Sequence, residues 1–105
     1  MEQPNLNYIK ELAGGDKEFE LNFIQILKNE LPVEVEQYSN YILNDELELA
    51  STVVHKLKHK FNILSMENAY SYAVKYEEEL KQGITEMDSE FKLILNQVLE
   101  YLTTL

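Results

Sequence analysis

Two histidines, His55 and His59, stand four residues apart in the stretch Val53-Val54-His55-Lys56-Leu57-Lys58-His59-Lys60-Phe61-Asn62. Imidazole is the side chain best suited to exchange a proton or act as a nucleophile near neutral pH. Three lysines fall within five residues of His55 in a chain that is otherwise strongly acidic. An ammonium one helical turn from an imidazole can offset negative charge placed on that ring. The pair has a second possible chemistry, because histidines at i and i+4 can share a metal ion. A stable zinc site wants three or four protein ligands, and the lysines at 56, 58 and 60 repel a cation. No resident metal is expected on these grounds.

The positions of these residues follow from the apolar pattern around them. Leu47, Ala50, Val54, Leu57, Phe61 and Leu64 are separated by 3, 4, 3, 4 and 3 residues, the spacing of one helical face. At about 100° per residue, His55 points about 120° from the centre of that face and His59 about 160°. Lys58 lies about 60° off, where its stem can run along the edge of the core. His55, Lys58, His59 and Asn62 thus form a polar stripe. Ser51, one turn before His55, is small enough to leave the imidazole open.

Similar seams run through Met66, Ala69, Ala73, Tyr76 and Leu80, and through Phe91, Leu95, Val98, Leu102 and Leu105. Phe19, Phe23, Leu27 and Leu31 form an i, i+4 stripe that continues as Val35, Tyr38 and Ile42. The expected helices are 5–13, 16–43, 45–62, 65–82 and 88–104. Gly14-Gly15-Asp16 separates the first two with Asp16 as N-cap, and Pro32 either kinks or restarts the second. Four long helices with narrow seams and short links predict an all-α, antiparallel up-down four-helix bundle with a short N-terminal capping helix. Phe23, Leu27, Val54, Leu57, Phe61, Ala73, Leu80, Leu95 and Val98 are expected in its core. Tyr70 and Tyr76 read as packing residues.

Composition excludes several classes of function. One hundred and five residues suit a single domain, 1–105, and are too few for a nucleotide-binding kinase domain plus a substrate domain. Nineteen acidic residues against nine lysines and no arginine give a formal net charge of −10. That balance disfavours nucleic-acid binding and removes the bidentate guanidinium clamp for phosphate. Without cysteine there is no disulfide, thiolate zinc site or thiol nucleophile. No apolar run approaches a membrane span, and Met1-Glu2-Gln3-Pro4 lacks the features of a signal peptide. A cytoplasmic, monomeric protein is the expectation, whether it stands alone or is cut from a larger hybrid kinase.

His55-Lys56-Leu57-Lys58 matches the first four places of the motif His-x-Leu-Lys-Gly in histidine-containing phosphotransfer (HPt) domains. The chain resembles that family along nearly its whole length. Leu6-Asn7-Tyr8-Ile9, the Gly14-Gly15-Asp16 turn, Phe19, Leu31-Pro32 and Leu64-Ser65-Met66 are similar to family patterns. The resemblance implies that His55 is a phosphoacceptor taking a phosphoryl group from a receiver-domain aspartyl phosphate and passing it to another receiver. Receiver domains of response regulators and hybrid histidine kinases would be the partners. Lys58 would stabilise charge on the transferred group, and Glu77 is placed to hold the other ring nitrogen of His55. Glu77 also reads as one carboxylate of the solvated run Glu77-Glu78-Glu79. The Mg²⁺ of such a reaction belongs to the receiver, so the carrier would need no cofactor and have no kinase activity. His59 replaces the family's usual glycine, where it would help bind the phosphoryl group, contact the receiver or act as a rival acceptor. The alternative is a non-phosphorylated helical-bundle adaptor that binds signalling partners.

Overall fold

A computed structural model describes residues 2–105. It contains five α-helices: α1 (Asn7–Ala13), α2 (Lys17–Leu43), α3 (Leu47–Ile63), α4 (Glu67–Lys81) and α5 (Asp88–Leu102). No strand occurs among the described residues. At about 1.5 Å per residue, the 27 residues of α2 extend about 40 Å, nearly the 44 Å long axis of the molecule. The shorter α1, α3 and α5 pack against it.

Local chemistry explains where the helices begin and end. The Asp16 carboxylate accepts a hydrogen bond from the Phe19 amide at 3.1 Å and caps α2, as the sequence predicts. Gly14 ends α1 at φ 56°, a left-handed conformation that suits a residue without a Cβ. Asp45 and Ser65 take positive φ in the turns after α2 and α3, which lets those links stay short. Pro32 lies inside α2 and does not restart it. Its ring is on the exposed side of the helix.

The core draws one large aromatic from each long helix. Phe91 of α5 meets Tyr38 of α2 and Tyr76 of α4, both at 5.1 Å between ring centroids, and Phe61 of α3 at 5.8 Å. All four are fully buried. Leu27, Leu31, Val54, Leu57, Ala73, Leu80, Leu95 and Val98 surround them. Chain-adjacent helices pack on one another, and α2 also packs on α5. The result is an all-helical bundle.

Two expectations fail along α2. Phe23 is only partly buried, and Phe19 is exposed. The buried line runs Leu27, Leu31, Glu34, Tyr38, so a carboxylate holds the place expected for Val35. The reason is spacing: an i, i+4 row drifts around a helix with 3.6 residues per turn, and the line corrects itself with a step of three. Glu34 is tolerated there because Lys60 of α3 meets it.

Candidate functional site

His55 projects from the middle of α3 toward the seam with α4, and its side chain is 53% exposed. The seam is drawn tight by Ser51, which is buried and donates its hydroxyl to the Glu77 carbonyl of α4 at 3.3 Å. Ser51 therefore fastens the two helices. Its small size is what permits the approach, and its place beside the apolar seam was the available sequence signal.

Glu77 is buried, unlike its neighbour Glu78. Its Oε1 lies 2.7 Å from His55 Nδ1, and its Oε2 accepts a hydrogen bond from Lys58 Nζ at 3.2 Å. Glu77 is thus no member of a solvated acidic run. By the helical arithmetic that placed Lys58, Glu77 lies about 60° from the centre of the α4 seam. The two boundary positions face each other across the helix pair. Burial pushes the Glu77 carboxyl upward, but hydrogen bonds from Lys58 and His55 and their charge outweigh it, leaving it below its ordinary value.

The imidazole is oriented by these contacts. An ionised carboxylate accepts only, so the Glu77 contact favours a proton on Nδ1 and leaves the lone pair of neutral His55 on Nε2. Lys58 Nζ lies 3.3 Å from Nδ1, on the Glu77 side of the ring, and its side chain is 12% exposed. Its ammonium also stands 5.9 Å from the centroid of the Tyr70 ring. The expected proximity of Lys58 to His55 holds, though the ammonium is engaged by Glu77 and sits beside the nitrogen that already has a partner.

His59 completes the exposed side. Its Nε2 lies 3.4 Å from His55 Nε2, and the rings meet edge to face at 4.9 Å between centroids. Asn62, one turn further along, is exposed and makes no side-chain hydrogen bond among the described residues. A shallow cavity of about 320 Å³ opens beside His55, lined by Ser51, Thr52, Lys56, Glu77 and Lys81.

The three lysines have different fates. Lys60 leaves the site entirely, pairing with Glu34 at 3.3 Å and Glu30 at 3.1 Å on α2. Lys58 is neutralised by Glu77, whereas Lys56 is exposed and forms no ion pair among the described residues. No group of three or more His, Cys, Asp or Glu residues able to hold a metal occurs among the described residues. No helix among them is long and apolar enough to cross a membrane.

This arrangement presents one exposed imidazole nitrogen with a lone pair, held in orientation from behind. No protein-family model matches the chain, and no curated protein or solved structure does.

Proposed function

We propose that the protein is a phosphorelay carrier of the HPt kind, in which His55 accepts a phosphoryl group from an aspartyl phosphate on a receiver domain and returns it to another receiver. The observation that carries this reading is the buried Glu77 carboxylate 2.7 Å from His55 Nδ1. Fixing the ring from that side leaves Nε2 as the exposed nucleophile. In the transfer, Nε2 attacks phosphorus, the N–P bond forms, and the acyl-phosphate O–P bond breaks. The receiver carboxylate leaves with the bonding pair, and its Mg²⁺ offsets charge on the phosphoryl oxygens. As Nε2 becomes bonded, positive charge spreads over the ring, and Glu77 at Nδ1 stabilises it. Lys58 anchors Glu77 and so holds the carboxylate against the ring through the transfer. His59 faces that atom and contacts the incoming group.

The same reading takes the bundle as antiparallel and up-down, with α1 as a cap, in a single cytoplasmic, monomeric domain. Packing between chain-adjacent helices and the closure of α2 on α5 support the bundle arrangement. No cofactor of the carrier's own and no nucleic acid enter the cycle.

Incubation with a panel of phosphorylated receiver domains, followed by intact mass at neutral and acid pH, tests the proposal. One added phosphate that is lost in acid and absent from His55→Gln is the expected result. Stable, stoichiometric binding of receivers without any mass change would replace it with the adaptor reading.

A further inference from the structure

The face of His55 that Glu77 leaves open is occupied by a second nitrogen. His55 Nε2 and His59 Nε2 stand 3.4 Å apart on the exposed side of α3. Two nitrogens bound to one zinc ion at about 2.0–2.1 Å in tetrahedral geometry lie about 3.3 Å apart. The pair already has the bite of a metal chelate. The i, i+4 spacing on one continuous helix sets that distance, and α3 runs unbroken from Leu47 to Ile63.

A second feature points the same way. Metal-ligating histidines commonly donate their other ring nitrogen to a carboxylate, which fixes the tautomer and makes the ligating nitrogen more basic. Glu77 stands in that relation to His55 at 2.7 Å and is itself fixed by Lys58 at 3.2 Å. The charge objection raised by the lysines weakens in the folded protein. Lys60 is turned onto Glu30 and Glu34, and Lys58 is paired with Glu77 beside Nδ1, away from the open nitrogens. Among the described residues, only Lys56 keeps an unpaired charge nearby, and it is exposed to screening solvent.

We infer that His55 and His59 form a two-nitrogen site for a borderline first-row divalent ion such as Zn²⁺, Ni²⁺ or Cu²⁺. With no third protein ligand of the histidine, cysteine or carboxylate type among the described residues, solvent completes the coordination. Binding is therefore reversible, and Cu²⁺ binds more tightly than Ni²⁺ or Zn²⁺. Hard, oxygen-preferring Mg²⁺ and Ca²⁺ are not held. The consequence for function rests on the phosphorelay reading: the ion occupies the nitrogen assigned to the phosphoryl group, so metal and phosphoryl exclude each other.

Calorimetric titration of the metal-free protein with Zn²⁺ or Ni²⁺ in a non-coordinating buffer near pH 7.5 tests the site. One ion per chain is expected. Because the second nitrogen binds intramolecularly, His55→Gln and His59→Gln should each weaken binding roughly a hundredfold. Glu77→Gln should weaken it about tenfold, because it removes the charge behind the ligating ring. Mg²⁺ should give no saturable heat. Absence of saturable Zn²⁺ binding up to about 1 mM free ion would overturn the site. So would several weak equivalents unchanged in His59→Gln, which would mark diffuse binding to acidic surface. These measurements involve no receiver, so the two readings fail separately. A chain that binds Zn²⁺ as described but takes no phosphate refutes the relay alone, and a labelled chain without the metal site refutes the metal alone.

Discussion

Two lysine–carboxylate pairs flank α3, and they differ in one atom's fate. Lys58 meets Glu77 of α4 at 3.2 Å, and Lys60 meets Glu34 of α2 at 3.3 Å. The side chains are about equally sheltered in both pairs, at 11–13% exposure. Each is an ion pair spanning two helices near the edge of the core, where desolvation cancels much of the attraction. At Glu77 the second carboxylate oxygen takes the imidazole of His55. At Glu34 the second oxygen is buried without any hydrogen-bond partner among the described residues. Similar distances and burial thus serve different ends. One pair reaches outward through an imidazole to a reactive nitrogen, and the other joins α2 to α3.

The largest effect should come from removing the imidazole on the Glu77 side. His55→Gln should abolish acid-labile labelling by a phosphorylated receiver and lower unfolding free energy by no more than about 1–2 kcal/mol, since the ring is half exposed and gives up one hydrogen bond to Glu77. Retained labelling in that variant would end the comparison. Both pairs hang from the same buried face of α3, so Leu57→Ala or Phe61→Ala should cost roughly 2–5 kcal/mol in a denaturant melt by leaving a cavity. A loss below that range would mean the helix is held chiefly by its ion pairs.

Lys58→Ala should slow transfer in both directions roughly tenfold to a hundredfold, the effect of losing one charge-assisted contact within the site. The structure adds that this change also frees Glu77, so the orientation of the ring loosens too. Glu77→Gln and Glu34→Gln sharpen the contrast directly. The first should slow labelling about tenfold, by removing the charge that stabilises the substituted ring. The second should leave the labelling rate unchanged. Equal effects would show that both carboxylates act only through helix packing.

The smallest expected effect is a dependence on pH. The Glu77 carboxyl titrates below its ordinary value in the fold, so its stabilising contribution is complete above about pH 4.3, the value of an unperturbed glutamate. That contribution falls away as pH drops through the lowered folded value. Melts of wild type and Glu77→Gln should therefore differ near neutrality and converge in acid. Divergence on acidification would contradict the assigned direction.

A third polar cluster shows where buried polarity serves the fold alone. Tyr76 and Tyr38 meet hydroxyl to hydroxyl at 2.6 Å, and Tyr38 donates to Asp88 at the start of α5. Burial pushes the Tyr76 phenol up to about 12 and raises Tyr38 as well, so both stay protonated and serve as donors. The two hydroxyls are buried, and the contacts reach the surface only at Asp88, where Lys92 pairs with the other oxygen. Sequence periodicity placed both tyrosines on seams but carried no sign that their hydroxyls would meet, because that depends on two helices distant in the chain.

Residue order by itself determined the helical class, because 3-and-4 spacing over fifteen or more residues leaves one periodicity able to bury the apolar side chains. It also determined the outward aim of His55 and His59, since side-chain direction on a helix is set by residue number alone. The caps at Asp16 and Gly14 were legible for the same local reason. What tertiary structure decided was which partner each polar residue meets. Glu77 could have been one of three solvated carboxylates until α4 lay against α3 through Ser51. The lysines at 58 and 60, two positions apart, look alike in sequence, yet about 200° of helical rotation sends one to α4 and the other to α2. An ionisable group takes its charge and reactivity from neighbours a few ångströms away, and in a bundle those neighbours come from other helices.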